Sequence, residues 1–338
     1  MMTTDLFLAT GGLAASMLAR VAPPSCWRGV DGAGACRRDG ADTLLELGTW
    51  TPRSPAAHLL PALAPLAVAP PAFRFELSVR AAGEWSPWVA TLTVGDVELA
   101  PLPAAAGPLT VDLDELRASP PADAIRLRVR CRGALATPWL ASLSAAGAGG
   151  VDSVAPAAPG VRLAVPSLSQ MTEDPAIALR ICSPTSVAMV LGYWGRPTPA
   201  AAVAADVFHR ATDRYGVWPA AIRAAATRGV AGYLLRFPDW STAAWCLARG
   251  IPIIASIRYA AGELTGAAVE ATAGHLVVLT GYENGVVLVN DPAAPTGDTV
   301  PRRYRRDELT RAWLERAGVG YVLFDPARVE AATPSTGA

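Results

Sequence analysis

Cys182, His275 and Asp291 are the residues whose types and order could together build an activated nucleophile. A thiolate attacks a carbonyl, an imidazole takes the thiol proton, and a carboxylate fixes the imidazole's orientation. Cys182 lies in Ile181-Cys182-Ser183-Pro184-Thr185-Ser186. Proline is favoured in the first turn of a helix, where its missing N–H costs nothing. The segment therefore places Cys182 at or just before a helix N-terminus. Free N–H groups and the positive end of the helix dipole there lower a thiol pKa from about 8.5. A cysteine before a helix can equally be a small buried apolar group, so the motif needs its partners.

His275 opens an apolar run, Gly274 to Tyr282, followed by the turn signal Glu283-Asn284-Gly285 and a return run Val286–Asn290 that leads into Asp291-Pro292. A three-residue loop pairs Tyr282 with Val286 and Val277 with Asp291, putting His275 and Asp291 diagonally on one face. A two-residue loop would put them on opposite faces. Gly285 suits the left-handed position of the longer loop, so the sequence predicts the register in which acid meets imidazole. Upstream, Gln170 could offer a side-chain N–H to a developing oxyanion beside the Cys182 backbone N–H. Ser183, Trp218 and Gly274 are candidates to line a substrate groove, and residues 260–274 could form a lip over it.

These groups need a scaffold. Val187, Val190, Leu191 and Trp194 recur at helical spacing across Pro184–Trp194. Pro199–Arg210, Pro219–Arg228 and Thr242–Arg249 are also helical by composition. Strands are predicted at Pro252–Tyr259, His275–Tyr282, Val286–Asn290 and Gly320–Phe324, which makes residues 161–328 an α+β domain. Residues 145–160 are almost all small residues and proline and read as a linker. Before them, strand signals dominate. Phe73–Arg80 and Ile125–Arg132 alternate apolar and polar residues, and Thr91–Leu99 is a further strand candidate. Residues 1–144 are thus expected as an all-β sandwich domain, and residues 329–338 as a flexible tail. The row Arg126, Arg128, Arg130 and Arg132 could meet a polyanion or an acidic peptide, or simply be the paired outer side of a sheet.

Bulk composition narrows the classes. The 338 residues are enough for two ordinary domains, and 51% hydrophobic with 17% charged residues is a composition that folds. Net charge is zero, so no overall field draws the protein to nucleic acid. All 29 cationic side chains are arginine, which removes lysine as a base and excludes a Gly-x-x-x-x-Gly-Lys nucleotide loop. Five cysteines without a C-x-x-C pair and three histidines do not supply a structural zinc site, and no metal or cofactor is expected. Cys26 and Cys36 could pair if the chain is exported. Leu6–Ala19 is too short to span a bilayer and lacks a basic start, so it reads as buried strand or helix, favouring the cytoplasm while leaving export open. The oligomeric state is not written in the sequence.

The segments LAVPSLSQ, ICSPTSVAMVLGYWG, GHLVVLTGY and VVLVNDPAA resemble the stand-alone relatives of the bacteriocin-processing, double-glycine-leader cysteine peptidases of the papain-like superfamily. Tyr215–Pro219 and Gly250–Ile257 extend the resemblance over nearly all of residues 161–325. It implies a papain-like cysteine peptidase fold, a peptide or protein substrate, catalytic roles for Cys182, His275 and Asp291, and an oxyanion hole completed by Gln170. Such proteins usually carry glycine straight after the nucleophile, where this chain has Ser183. Through GEWSPW and Val111-Asp112-Leu113, the N-terminal region loosely resembles the β-sandwich preceding this domain in some relatives. The expected function is a thiol hydrolase working through an acyl-enzyme. Alternatives are a peptidase-fold module that binds peptide or glycan without turnover, and an acyltransferase using the same three residues.

Overall fold

Strands account for most of the chain before residue 147. The computed structural model describes residues 2–32, 34–151 and 160–331. Thr4–Gly11, Ala56–Pro65 and Trp139–Ala146 lie side by side in one seven-stranded sheet, Trp139–Ala146 being flanked antiparallel by the other two. All eight residues of Trp139–Ala146 are buried, so this strand is covered on both faces. A second seven-stranded sheet is built on Ala72–Ala81 and Ala124–Arg132, paired antiparallel with Phe75 opposite Val129 and Leu77 opposite Leu127. Phe73, Phe75, Leu77 and Val79 enter the core, as the alternation requires.

The other face of that sheet uses its arginines internally. Glu76 is fully buried and accepts from Arg74, Arg128 and Arg130. Arg130 also meets Asp39 and Asp42, and Arg132 meets Asp42. Arg126 stacks on Trp85 and Arg128 on Trp88. The arginine row is thus the internally paired side of a sheet, and the polyanion reading is corrected. Thr91–Leu99 is not a strand of that length; only Val94–Gly95 pairs, against Ala72 and Phe73, because Gly95 turns the chain at φ +111°. Leu6–Ala19 divides into the buried Thr4–Gly11 strand and the start of the Ala15–Val21 helix. Cys26 and Cys36 are free thiols, the first buried and the second exposed.

The third sheet, also seven-stranded, runs in the order Ala231–Arg236, Val319–Phe324, Ile253–Tyr259, Thr272–Glu283, Val286–Asn290, Pro301–Arg305, with Val161–Arg162 added to Thr272–Glu283. It joins the helices to give a mixed, sheet-rich α+β chain. The Cys182–Tyr193 helix packs on Thr272–Glu283 and is tied to it by Ser186 Oγ donating to the Leu276 carbonyl at 3.2 Å. No helix among the described residues is long and apolar enough to cross a membrane.

The hairpin that carries His275 departs from expectation at the turn and agrees at the far end. Glu283 pairs with Val286, so the loop is the two-residue Asn284-Gly285, both with positive φ of 48° and 78°. By itself that turn would set His275 and Asp291 on opposite faces. An irregularity between Leu279 and Gly281 inserts one residue, Thr280, and restores the pairing of Val278 with Asn290. The bulge sits in the strand and not at the turn. Gly281 is needed there, since a Cβ would lie 2.0 Å from the Val161 carbonyl oxygen.

The first sheet also packs against the third. Ala56–Pro65 and Trp139–Ala146 lie on Ala231–Arg236, and Ala56–Pro65 on the Trp218–Ala226 helix. Apolar residues from before and after residue 150 form one continuous core. Polar ties reinforce this junction: Arg236 N–H donates to Ser144 Oγ at 3.1 Å, Tyr233 to the Val21 carbonyl at 2.5 Å, and Trp218 N–H to Asp114 Oδ2 at 2.5 Å. Burial pushes the Asp114 carboxyl up to about 7 against that last bond. Ala145 and Ala146, expected as linker, complete the Trp139–Ala146 strand; residues 152–159 of the expected linker lie outside the described residues. The expected tail begins within the Pro326–Ala331 helix, and residues 332–338 lie outside the described residues.

Candidate active site

Cys182 is the first residue of the Cys182–Tyr193 helix, half-buried, with the Ile181 backbone acting as N-cap. No side chain caps this end and no acid lies in the first turn, so its N–H groups remain for another partner. Pro184 and the apolar run behind it explain why the helix starts here and why it is buried along one whole length.

His275 is 5% exposed and fully buried Asp291 lies beside it, with His275 Nε2 to Asp291 Oδ1 at 2.7 Å. The charge of the Cys182 sulfur also acts on the His275 ring, and with Nε2 taken by Asp291 the nitrogen left for the sulfur is Nδ1. Asp291 accepts twice more: from Ala293 N–H on Oδ1 at 3.0 Å and from the Tyr304 hydroxyl on Oδ2 at 2.6 Å. Tyr304 comes from Pro301–Arg305, the strand beyond Val286–Asn290, and is itself fully buried. Sequence reading missed it. The one available signal was a single aromatic residue inside the arginine-rich run PRRYR.

These contacts set the charges. Burial pushes the Cys182 thiol up, but the His275 hydrogen bond and charge, with N–H groups of Leu276 and Ser183, bring it below the ordinary thiol value. Burial would lower His275, yet the bonds to Asp291 and Cys182 raise it to about 10. Burial raises Asp291, and His275, Tyr304 and Ala293 outweigh that and hold it below the usual carboxylate range. The arrangement favours a thiolate–imidazolium pair backed by a carboxylate. The other four cysteines move the opposite way: burial raises Cys36, lifts Cys26 and Cys131 to about 12, and takes Cys246 higher still.

Gln170 is buried, in the short turn Gln170–Thr172. Its backbone N–H donates to the Pro292 carbonyl at 2.8 Å, tying it to the loop after Asp291, while neighbouring Ser169 holds the Ala294 carbonyl. Its Nε2 donates to the Ala178 carbonyl at 2.7 Å, leaving one amide hydrogen, and Oε1 has no partner.

The three groove candidates separate. Ser183 is a correction: it is 1% exposed and turns inward, its hydroxyl 3.2 Å from that of Tyr321, because the first helical turn directs it into the body. Trp218 is half-buried against the core at the junction with the N-terminal sheets, and no hydrogen bond among the described residues joins it to Cys182. Gly274 is exposed beside His275, with no atom within 4 Å of where a Cβ would stand. The expected lip is tied down: Tyr259 holds the Val269 carbonyl, Arg302 holds Gly266, and Glu308 accepts from Thr265. His209 bridges Thr212 and the Thr93 carbonyl, and Trp240 donates to Thr310, so both are structural.

Residues 162–321 match the model of the Peptidase_C39 like family, a segment spanning the Cys182 helix, the His275 hairpin and most of the third sheet. The resemblance read from the sequence motifs is therefore shown over this segment, and it points to a cysteine-type peptidase. Two solved structures are each similar over about half of the chain. One is a C39-like peptidase from Bacillus anthracis, 20% identical, covering 49% of this chain and 98% of its own, with a TM-score of 0.39. The other is the peptidase domain of Streptococcus ComA, a bifunctional ABC transporter involved in quorum sensing. It is 15% identical and covers 47% of this chain and 98% of its own, with a TM-score of 0.35. No curated protein matches the chain.

Proposed function

We propose that residues 161–328 form a cysteine peptidase that cleaves a peptide or related amide bond, with Cys182 as nucleophile, His275 as base and acid, and Asp291 as orienting group. The observation that carries this reading is the 2.7 Å contact of His275 with Asp291, which fixes the ring, together with a Cys182 thiol that alone of the five is drawn below its ordinary pKa by His275. The Cys182 thiolate adds to the scissile carbonyl, and the oxyanion is met by the Cys182 N–H and by the remaining amide hydrogen of Gln170. His275 passes its proton to the leaving amine, giving a thioester. Water then loses a proton to His275 and attacks the thioester, releasing the acid and restoring the thiol. The two N-terminal sheets serve as a β-sandwich accessory unit docked on the Ala231–Arg236 side of the peptidase.

Iodoacetamide labelling tests the pair directly. Near pH 6, Cys182 is expected to be alkylated at least tenfold faster than Cys36, Cys131 or Cys246. His275→Ala is expected to abolish that advantage, and Cys182→Ala the label itself. Equal labelling of Cys182 and the exposed Cys36 in the wild-type protein would sink the assignment. The Ser183 hydroxyl lies against Tyr321, which supports turnover over the binding-only reading.

A further inference from the structure

A cleft of about 850 Å³ separates the 92–101 loop of the N-terminal sheets from the Ala200–Val207 and Trp218–Ala226 helices. Neither Cys182, His275 nor Asp291 lines it. Its size falls in the range of small-molecule sites, roughly 300–1,000 Å³. Leu92, Val97, Leu99 and Phe208 give it apolar walls, and Arg223 enters from the helix.

Arg223 is the unusual member. Its Nε is buried without an acceptor, and among the described residues none of its nitrogens makes a hydrogen bond or ion pair. Arg236, the other arginine with a buried orphan Nε, differs because its Nη atoms reach Glu115 and the Arg316 carbonyl. Asp206 and Asp96 act on Arg223 by charge without bonding it: Asp206 bonds Arg228 at 2.6 Å, and Asp96 lies 3.7 Å from the exposed Arg210. A guanidinium is a planar fork of donors that never loses its charge, and its buried Nε is costly to leave unbonded unless a ligand supplies an acceptor.

We infer that this cleft is a binding site in which Arg223 takes the C-terminal carboxylate of a short peptide whose last side chain is apolar. A carboxylate matches the fork with two parallel bonds. The apolar walls suit the last side chain. Asp96, Glu98 and Asp206 outnumber Arg210 and Arg223 in the lining, which favours a ligand with one negative charge and a cationic amino end over a polyanion. The site is separate from the proposed peptidase centre and does not depend on it.

Calorimetric titration of the full chain with the dipeptide Ala-Leu, its C-terminal amide, acetate and inorganic phosphate tests the proposal, the Cys182→Ala protein being used so that nothing is consumed. The acid is expected to bind at least tenfold more tightly than the amide, and Arg223→Gln to remove that difference while Arg223→Lys retains part of it. Acetate is expected to compete better than phosphate. Equal binding of acid and amide, or none of either by unsubstituted Arg223, overturns the site. An acid preference that survives in a folded Arg223→Gln protein overturns the role of Arg223. Phosphate competing better than acetate overturns the peptide as ligand in favour of a free oxyanion.

Discussion

Tyr304 and Asp291 are joined by a hydroxyl-to-Oδ2 bond of 2.6 Å, on the carboxylate oxygen that His275 does not use. The acid is thus held from two neighbouring strands, with His275 on one side and Tyr304 on the other. A carboxylate clamped in this way cannot rotate without breaking a charged bond of about 1.5–3 kcal/mol.

Tyr304→Phe keeps the ring and removes only that bond. Peptide turnover, measured as kcat/KM, is expected to fall by about tenfold, equivalent to about 1.4 kcal/mol of lost transition-state stabilisation. The unfolding midpoint in urea is expected to drop as well, because Asp291 Oδ2 is left buried without a donor. Unchanged turnover in a folded variant would mean that the clamp does not position His275.

The Cys182–His275 pair predicts a broad pH profile. His275 is raised to about 10, so its charged form adds stability in full below the ordinary histidine value of about 6.5 and loses it as pH climbs through 10. Cys182 is lowered, so its thiolate is lost only as pH falls through a value beneath the usual thiol range. The two protons belong to one coupled system. The ratio kcat/KM is expected to stay high from mildly acidic pH to an alkaline limb near 10. An alkaline limb near 7 would contradict the ion pair.

Ser183→Gly asks whether the residue after the nucleophile obstructs the groove. With the hydroxyl directed at Tyr321, alkylation and turnover are expected to stay within about threefold of the unsubstituted protein. Stability is expected to fall by about 1–2 kcal/mol, from the lost bond and from glycine in the first helical turn. A tenfold gain in turnover would show that the side chain had been in the way.

Much of this was legible in the chain itself because alternation and turn chemistry are local. Phe73–Arg80 and Ile125–Arg132 announce their faces, and Pro184 announces the helix that begins at Cys182. The meeting of His275 with Asp291 was anticipated from the right pairing but the wrong irregularity. Asn284-Gly285 makes the tight turn its residues favour, and the extra residue is absorbed at Thr280, where no type preference betrays a bulge. Ala56–Pro65 and Trp139–Ala146 escaped notice because strands covered on both faces lose their period of two. Tyr304 was hidden because its own strand, Pro301–Arg305, carries no clear alternation and its pairing with Val286–Asn290 appears only in the fold. Ser183 was misplaced because spacing along the chain does not say which way the first residues of a helix point.

The buried seam between the first sheet and the Ala231–Arg236 strand bears on how this molecule can be handled. Trimming the chain to the stretch that matches the peptidase family would strip a wall from the third sheet and wet Tyr233 and Leu235, which are fully buried in the whole molecule. It would also take away Asp114, whose oxygen holds the opening N–H of the Trp218–Ala226 helix. An excised fragment should therefore clump or unravel on its own account, and a dead fragment would say nothing about the chemistry of Cys182.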